Sequence, residues 1–336
     1  MISIIICTYN RPNTVVKLIS LLRKQTIVPN EIIVVDSSDT LNKSLAEDND
    51  IKYIQSSHKN QPYQRYLGFL CSSNKWLLYL DDDMEPYDLM SIESIIKLKK
   101  DKPKFIAFAL RFEDLHSETS LSLLPSTIFI KSKNNLSRLI SLFTAYPILE
   151  KGKAGWNGVR GILPFGGETE WFSGGAFFVN KEIIFKNFNF RLFSIFENKV
   201  GTGEDFIISY NLSKYGKIWA TNNIYFYHND QKNSNYSTDV YKYNRRLIYS
   251  RLYLSLEKAR LTKKTKLLAV IYFVYFSFWR FFGLCVNFIL NPTIKRLDAI
   301  RGFISGYFKS FKLLVYKFEN EEIYWNNEAS KDKINR

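Results

Sequence analysis

An apolar run ends at three successive carboxylates in Trp76-Leu77-Leu78-Tyr79-Leu80-Asp81-Asp82-Asp83. A short continuous apolar run of this kind is typical of a strand that is buried on both faces of a parallel sheet. Three adjacent carboxylates repel one another, so their position costs stability unless a cation lies nearby. Mg²⁺ binds oxygen ligands and usually takes one or two carboxylates together with substrate phosphates. The stretch therefore predicts a metal site or, in the simpler alternative, a solvated acidic turn before Pro86.

Two earlier apolar runs end in the same way. Residues 2–7 lead into Thr8-Tyr9-Asn10, and residues 32–35 lead into Asp36-Ser37-Ser38. Amphipathic, helix-like stretches begin at Pro12, at about Pro62 and at Pro86, and further strands are expected over residues 51–54, 105–110, 217–220 and 224–227. This alternation predicts an α/β fold with a parallel sheet covered by helices on both faces. Ligands of such sheets bind beyond the carboxyl ends of the strands, so we expect the polar strand ends to form one site.

The chain combines a nearly neutral body with a strongly basic C-terminal region. Its 336 residues are enough for about two domains, or for one large domain with an extension. The formal charge is +15, and residues 240–318 alone hold 16 Lys and Arg against two acids. We therefore predict an α/β domain over residues 1–235 and a basic, aromatic, helical region over residues 236–336.

Three cysteines, Cys7, Cys71 and Cys285, are too few and too far apart for a disulfide framework or a Cys-x-x-Cys metal clip. A reducing compartment is the simplest interpretation. The N-terminus lacks the basic leader of a signal peptide, and the apolar run over residues 2–7 is too short for one. We therefore expect the body of the protein to stay in the cytoplasm.

Residues 267–290 form a 24-residue stretch that is apolar or aromatic at 20 positions. About 20 such residues suffice to span a bilayer. Arg280 lies near the middle, where it opposes insertion, and the many aromatic residues prefer the membrane interface. Basic residues flank the stretch on both sides, as suits a segment on an anionic cytoplasmic leaflet. The sequence favours helices lying at the membrane interface, and it leaves open a packed helical hairpin and a true span.

A second acidic pair, Glu204-Asp205, follows Gly203 at the expected start of a helix. Acidic side chains suit a helix N-terminus for capping and dipole reasons alone. The functional alternative is that one of the two carboxylates is a general base that accepts a proton from a hydroxyl. His228 ends an apolar run near the end of the α/β body, and it is either a structural histidine or a contact to a metal or phosphate.

Taken in order, these segments resemble family 2 glycosyltransferases. The resemblance rests on Cys7-Thr8-Tyr9-Asn10-Arg11-Pro12, Ile32-Ile33-Val34-Val35-Asp36-Ser37-Ser38, Gln64-Arg65-Tyr66-Leu67-Gly68, Leu78-Tyr79-Leu80-Asp81-Asp82-Asp83-Met84-Glu85-Pro86, Phe172-Ser173-Gly174-Gly175-Ala176 and Gly203-Glu204-Asp205. It covers about residues 1–230. It implies a GT-A fold, which is a Rossmann-like, mostly parallel sheet with helices on both faces. It also implies a nucleotide-sugar donor and a bound divalent cation, Mg²⁺ or Mn²⁺.

The resemblance assigns roles to individual residues on the donor side of the site. Thr8, Tyr9 and Arg11 would line the nucleotide pocket. Asp36 would contact the base, and Arg65 would support the pocket. Asp81 would lie near the ribose, with Asp82 also on the nucleotide sugar. The string Asp36-Ser37-Ser38 departs from the two acids and a glycine of many members, so recognition of the base stays open.

Further roles concern the metal and the acceptor. Asp83 would hold the metal against the diphosphate, with His228 close by. Gly174 and Gly175 would leave room for the donor and acceptor sugars. Asp205 would be the general base, with Glu204 beside it. The Gln-x-x-Arg-Trp signature of the processive synthases is absent from the sequence, which predicts one sugar per encounter.

We therefore expect an inverting glycosyltransferase that moves one sugar from a UDP- or dTDP-sugar to a lipid-linked saccharide in cell-surface polysaccharide synthesis. One base and one displacement invert the anomeric configuration. The expected partners are the donor, the acceptor and an anionic membrane surface at the cytoplasmic face, and nucleic acid is not expected. Two alternatives remain open. They are a nucleic-acid-binding protein that uses the basic region, and a metal-dependent nucleotidyltransferase that would release pyrophosphate.

Overall fold

The computed structural model describes residues 1–115, 149–197, 203–229, 239–315 and 320–334. The strands of these residues are β1 (Ile2–Thr8), β2 (Glu31–Asp36), β3 (Ile51–Gln55), β4 (Trp76–Asp81), β5 (Met84–Pro86), β6 (Phe105–Asp114), β7 (Gly167–Thr169), β8 (Ala176–Asn180) and β9 (Lys217–His228). The helices are α1 (Pro12–Arg23), α2 (Lys43–Ala46), α3 (Gln61–Cys71), α4 (Ser91–Asp101), α5 (Lys181–Ile184), α6 (Arg191–Glu197), α7 (Glu204–Leu212), α8 (Val240–Leu261), α9 (Lys266–Leu290), α10 (Ile294–Ser310), α11 (Lys312–Val315) and α12 (Glu321–Ile334). The expected domain boundary near residue 235 lies outside the described residues.

The strands form one sheet in the order β3-β2-β1-β4-β8-β6-β9-β5, and β7 also pairs with β9. Strands β3, β2, β1 and β4 are parallel, while β8 runs antiparallel to both β4 and β6. Every residue of β1 is buried, as expected for a continuous β-branched run in the middle of a sheet. The predicted mixed α/β fold with a mostly parallel sheet is confirmed, and so is the helical C-terminal region.

Two local expectations were wrong. The stretch after the acidic triplet does not start a helix at Pro86, because Met84–Pro86 pairs with the end of β9. Helix α4 begins only at Ser91, after Asp88 Oδ1 has accepted hydrogen bonds from Met90 N (2.8 Å) and Ser91 Oγ (3.2 Å). The two short strands expected over residues 217–220 and 224–227 are one strand, β9, which follows β6 through several register shifts. As a result, β9 ends beside the acidic triplet.

Each face of the sheet carries a buried apolar cluster, and the C-terminal helices extend one of them. Leu252 of α8, Phe276 of α9 and Trp325 of α12 belong to the cluster that contains Phe193 and Phe177. Tyr63 of α3 donates a hydrogen bond to Asp332 Oδ2 of α12 (2.9 Å). The C-terminal helices therefore pack directly on the α/β part of the protein.

One described helix, α9, is long and apolar enough to cross a membrane by length and composition. Its most apolar window has a mean hydropathy of 1.7, and only 22% of that window is buried inside the protein. Most of the helix surface therefore lies on the outside of the fold.

Candidate active site at the carboxyl edge of the sheet

The acidic triplet stands at the end of β4, and arginines face it. Arg11 Nη1 donates to Asp83 Oδ2 (2.7 Å) and to Asp82 Oδ1 (3.1 Å). Thr8 at the end of β1 donates its hydroxyl to Asp82 Oδ2 (2.7 Å). Asp81 Oδ1 accepts from Gln61 Nε2 (2.8 Å) and Arg65 Nη2 (3.2 Å). The mutual repulsion predicted for the three carboxylates is thus reduced by two guanidinium groups.

The three carboxylates differ in their tendency to ionise. Burial raises the pKa of Asp81 to about 7, against the opposing charge of Arg65. Burial likewise raises the pKa of Asp82 to about 6, although Thr8 and Arg11 oppose the rise. Burial also acts on Asp83, but His228 and Arg11 outweigh it and hold the pKa of Asp83 below its usual value. Asp83 is therefore the most firmly ionised member of the triplet.

His228 ends β9 and lies beside Asp83. Its Nε2 lies 3.5 Å from Asp83 Oδ1, and its Nδ1 lies 2.5 Å from Asp114 Oδ1 at the end of β6. Burial lowers the pKa of His228, but the two carboxylates raise it to about 9. Asp83 Oδ1 is buried and has no hydrogen-bond partner among the described residues. An unsatisfied carboxylate oxygen next to an imidazole is a donor set that fits a divalent cation, which would take the place of the proton on the imidazole.

Within the described residues, no group of three or more His, Cys, Asp and Glu side chains is arranged to hold a metal ion. The candidate donor set is therefore the pair Asp83 and His228 rather than a closed protein cage. Asp114 was not singled out from the sequence. It lies 114 residues before its partner His228, and only the pairing of β6 with β9 brings the two together.

Residues expected to contact the nucleotide sugar gather at the ends of β1 and β2. Asp36 is buried, and its Oδ1 accepts from Ser38 N (2.8 Å) while its Oδ2 accepts from Tyr53 OH (2.7 Å). Gln64 Nε2 of α3 donates to the carbonyl oxygens of Thr8 (2.9 Å) and Val35 (2.8 Å), which ties the two strand ends together. These contacts of Tyr53 and Gln64 could not be predicted from the sequence.

The Tyr9 and Asn10 segment follows β1 at the same edge. Lys59 Nζ lies 5.1 Å from the centre of the Tyr9 ring. Asn10 adopts a positive φ of 54°, and its side chain exchanges hydrogen bonds with Asp39. The loops after β1 and β2 are therefore joined to each other.

Arg65 connects the triplet to the second acidic pair. Its side chain is buried, and it donates to Asp81 Oδ1 (3.2 Å), to Glu204 Oε1 (3.2 Å) and to the Gly174 carbonyl (3.1 Å). Burial lowers the pKa of Arg65, but Asp81 and Glu204 outweigh this effect and raise it. The two acidic sites that are far apart in the sequence thus lie on opposite sides of one buried cation.

The space beside Gly174 and Gly175, where a side chain would otherwise lie, is occupied by other atoms of the protein. A Cβ on Gly174 would lie 2.9 Å from Arg65 Nη2 and 3.4 Å from Asp205 Cβ, and one on Gly175 would lie 2.2 Å from the end of Met84. The glycines therefore allow Arg65 and Met84 to approach the backbone. Their expected role in admitting sugars stays a prediction.

Asp205 lies in the first turn of α7, and Arg160 pairs with it. Arg160 Nη1 donates to Asp205 Oδ2 (2.9 Å), and Nη2 donates to Oδ1 (2.7 Å). The backbone N–H groups of Gly174 (3.2 Å to Oδ2) and Phe206 (2.7 Å to Oδ1) add two more hydrogen bonds. Arg160 lies in the glycine-rich stretch before β7, where the sequence has no readable motif.

The pKa values of the two neighbouring carboxylates of α7 are shifted in opposite directions. Burial raises the pKa of Asp205, but the charge and hydrogen bonds of Arg160 outweigh it and leave the pKa low. Burial raises the pKa of Glu204, and the charge of Asp205 adds to the rise. Asp205 is therefore the ionised carboxylate of the pair.

The family model for glycosyl transferase family 2 matches residues 3–147. These residues of the chain are similar to glycosyl transferase family 2. The family predicted from the ordered motifs is confirmed, and so is the GT-A fold. No curated protein matches the chain in sequence.

Solved structures resemble this protein in fold. Residues 1–349 of S. aureus TarS align with a TM-score of 0.52 and 13% identity over 98% of this chain and 88% of that one. The same protein in complex with UDP-GlcNAc gives a TM-score of 0.49 at 13% identity, over 91% and 81%. The mannosyltransferase PcManGT from Pyrobaculum calidifontis, in complex with GDP-Man and Mn²⁺, gives 0.47 at 11% identity, over 99% and 86%. The TarS 1–349 alignment includes the C-terminal helices as well as the sheet.

Proposed function

We propose that the protein is an inverting, metal-dependent glycosyltransferase acting at the cytoplasmic face of a membrane. It would move one sugar from a UDP- or dTDP-sugar to a hydroxyl of a lipid-linked saccharide in cell-surface polysaccharide synthesis. The observation that carries the proposal is the buried Arg65, which joins Asp81 to Glu204 and brings the two acidic groups into one site. The family match supports sugar transfer over the nucleotidyl-transfer and nucleic-acid alternatives.

Asp83 and His228 are the residues that would hold the divalent cation. They combine a firmly ionised carboxylate, whose Oδ1 is buried and unsatisfied among the described residues, with an imidazole 3.5 Å away. A bound cation would neutralise the charge that develops on the diphosphate leaving group. Arg11, which contacts Asp83, adds positive charge on the donor side of the same edge.

Asp205 would accept the proton of the attacking hydroxyl. Its four hydrogen bonds occupy the two oxygens fully, since a carboxylate offers about four lone-pair positions. Two of the donors are backbone N–H groups that the fold fixes, so the hydroxyl would replace an N–H group of Arg160. The new C–O bond forms as the bond to phosphate breaks, the proton stays on Asp205, and the nucleoside diphosphate leaves. A single displacement of this kind inverts the anomeric centre.

A thermal-stability screen tests the donor class. Nucleotide sugars are added to the full-length protein with Mn²⁺ or Mg²⁺, and the melting temperature is measured. The cognate donor at 100 times its dissociation constant is expected to stabilise the protein by about 2.7 kcal/mol. The proposal fails if no UDP-, dTDP- or other nucleotide sugar raises the melting temperature in the presence of either metal.

The pairing of Arg160 with Asp205 predicts a pH effect. Asp205 must be ionised to accept a proton, so the rate rises with pH through its pKa. Arg160 holds that pKa low, and Arg160→Gln removes the cation, so the pKa should rise. We expect the acidic limb of the kcat/KM profile to move to higher pH. Arg160→Lys keeps the charge and should move the limb less. An active Arg160→Gln enzyme whose acidic limb stays in place would contradict the assignment.

A further inference from the structure

We propose that α9 lies flat on an anionic lipid bilayer and contacts it through one face of the helix. We define the outer face of α9 by Leu267, Ile271, Val274, Phe278, Phe282 and Ile289. The inference rests on the proposed function and deepens it, because it names the surface where the enzyme would meet a lipid-linked acceptor. Binding to vesicles needs no catalysis, so the two proposals can fail separately.

The outer face is a continuous apolar stripe that the fold leaves uncovered. Its six residues recur at spacings of four, three, four, four and seven, which places them on one side of a helix. Each of these side chains is exposed by between 41% and 76%. Exposed apolar patches of this extent mark membrane or protein interaction surfaces.

The opposite face of α9 is covered by protein. Phe273 and Phe276 are buried, and the Phe273 ring stacks on Tyr307 of α10 at 5.5 Å between ring centres. Arg280 follows Phe273 by seven positions and Phe276 by four, so it belongs to this inner face, and its Nε is buried. The central arginine that opposes insertion thus points away from the apolar stripe. A helix with one protein-covered face and one apolar face suits the plane of the interface rather than a span.

Basic residues stand at both ends of the stripe. Lys263, Lys264 and Lys266 are exposed before it, and Lys295 is exposed after it. The acids of the neighbouring helices are already paired, since Glu257 contacts Arg260 (2.5 Å) and Asp298 contacts Arg301 (3.6 Å). The apolar stripe complements the acyl chains of a bilayer, and the basic residues at its ends complement anionic headgroups. We therefore identify the partner of this face as an anionic bilayer.

A short loop links α9 to the proposed base. The Trp156 ring stacks on Tyr272 of α9 with 4.6 Å between ring centres, and Asn157 Nδ2 donates to the Tyr272 carbonyl (3.0 Å). Four residues after Trp156, Arg160 forms its ion pair with Asp205. A bilayer against α9 would therefore lie one loop away from the residue that receives the acceptor proton.

Vesicle co-sedimentation of the full-length protein tests the proposal. Phosphatidylcholine vesicles with and without phosphatidylglycerol are the probes, and the double variant I271E/F278E is compared with the wild type. Wild type is expected to sediment with the anionic vesicles, and the variant's partition coefficient should fall ~10-fold or more because two stripe residues become charged. An alkaline carbonate wash should release the bound wild type, as it does for proteins that lie at the interface.

The matched control is V28E/L89E, which makes the same change in charge at two exposed apolar residues of the α/β part. It should bind vesicles like the wild type, and all three proteins should share one melting temperature. The proposal is overturned if wild type stays in the supernatant, or if I271E/F278E sediments as the wild type does. It is also overturned if wild type resists the carbonate wash, which indicates a span, or if light scattering detects a dimer that I271E/F278E dissociates.

Discussion

Asp205→Asn is expected to lower turnover on the order of 10²–10⁴-fold, the usual contribution of a general base. The substitution keeps the size of the side chain but removes the proton acceptor. It also leaves one oxygen where the carboxylate offers two, so the bidentate pair with Arg160 is lost. Donor and metal should still bind, because their proposed ligands lie at other strand ends. Turnover and donor affinity, measured on the same protein, separate the two effects.

Glu204→Gln is the matched control for the base. Glu204 accepts from Arg65, whereas Asp205 accepts from Arg160, so the two neighbours on α7 face different groups. We expect Glu204→Gln to cost about tenfold, which is less than the loss of a general base. If Glu204→Gln is the inactive variant while Asp205→Asn retains turnover, the base is the glutamate. If both variants stay active, neither residue is the base.

Asp83→Ala is expected to remove the metal-dependent part of donor binding. Loss of a charged ligand corresponds to about 1.5–3 kcal/mol, or a roughly 10- to 100-fold weaker affinity in the presence of Mn²⁺. The fold should persist, because Arg11 Nη1 keeps its contact with Asp82 (3.1 Å). Titration calorimetry with the nucleotide sugar, with and without Mn²⁺, measures the metal-dependent increment directly.

Two comparisons make the Asp83 result interpretable. EDTA should weaken donor binding to the wild type and leave binding to Asp83→Ala unchanged. Asp101→Ala removes an exposed carboxylate at the end of α4, away from the triplet, and should bind the donor like the wild type. Metal-enhanced donor affinity that survives in Asp83→Ala would show that the cation is held by other groups.

The sheet and its polar edge could be predicted because their signals are local in sequence. The buried runs of β1, β2 and β4 are continuous and apolar, and each ends in polar residues. Parallel strands place these ends at one edge whatever the details of packing. The approximate positions of Thr8, Asp36 and Asp81 therefore follow from the pattern alone.

The partners of the site residues could not be predicted because they come from distant segments. Arg160 precedes Asp205 by 45 residues and lies in a stretch without strand or helix periodicity. The link that Arg65 of α3 makes between Asp81 and Glu204 joins three residues that lie far apart in the chain, so it depends on the packing of the whole fold. Burial and pairing then shift the pKa values of Glu204 and Asp205 in opposite directions. The spacing of residues in the sequence does not predict these shifts.

The outer face of α9 could not be predicted from the sequence for a different reason. Residues 267–290 are apolar on all sides, so periodicity does not separate an inner face from an outer one. The inner face is decided by the packing of Phe273 and Phe276, and Arg280 shares that face. This packing leaves one apolar stripe of the helix uncovered by protein.

The anomeric configuration of the product tests the proposed single displacement most directly. The enzyme is incubated with its donor, Mn²⁺ or Mg²⁺ and a lipid-linked acceptor, and the product is analysed by NMR. The new glycosidic bond is expected to have the opposite configuration to the donor, with one nucleoside diphosphate released for each sugar transferred. Retention of the donor configuration, or release of pyrophosphate instead of a nucleoside diphosphate, would contradict it.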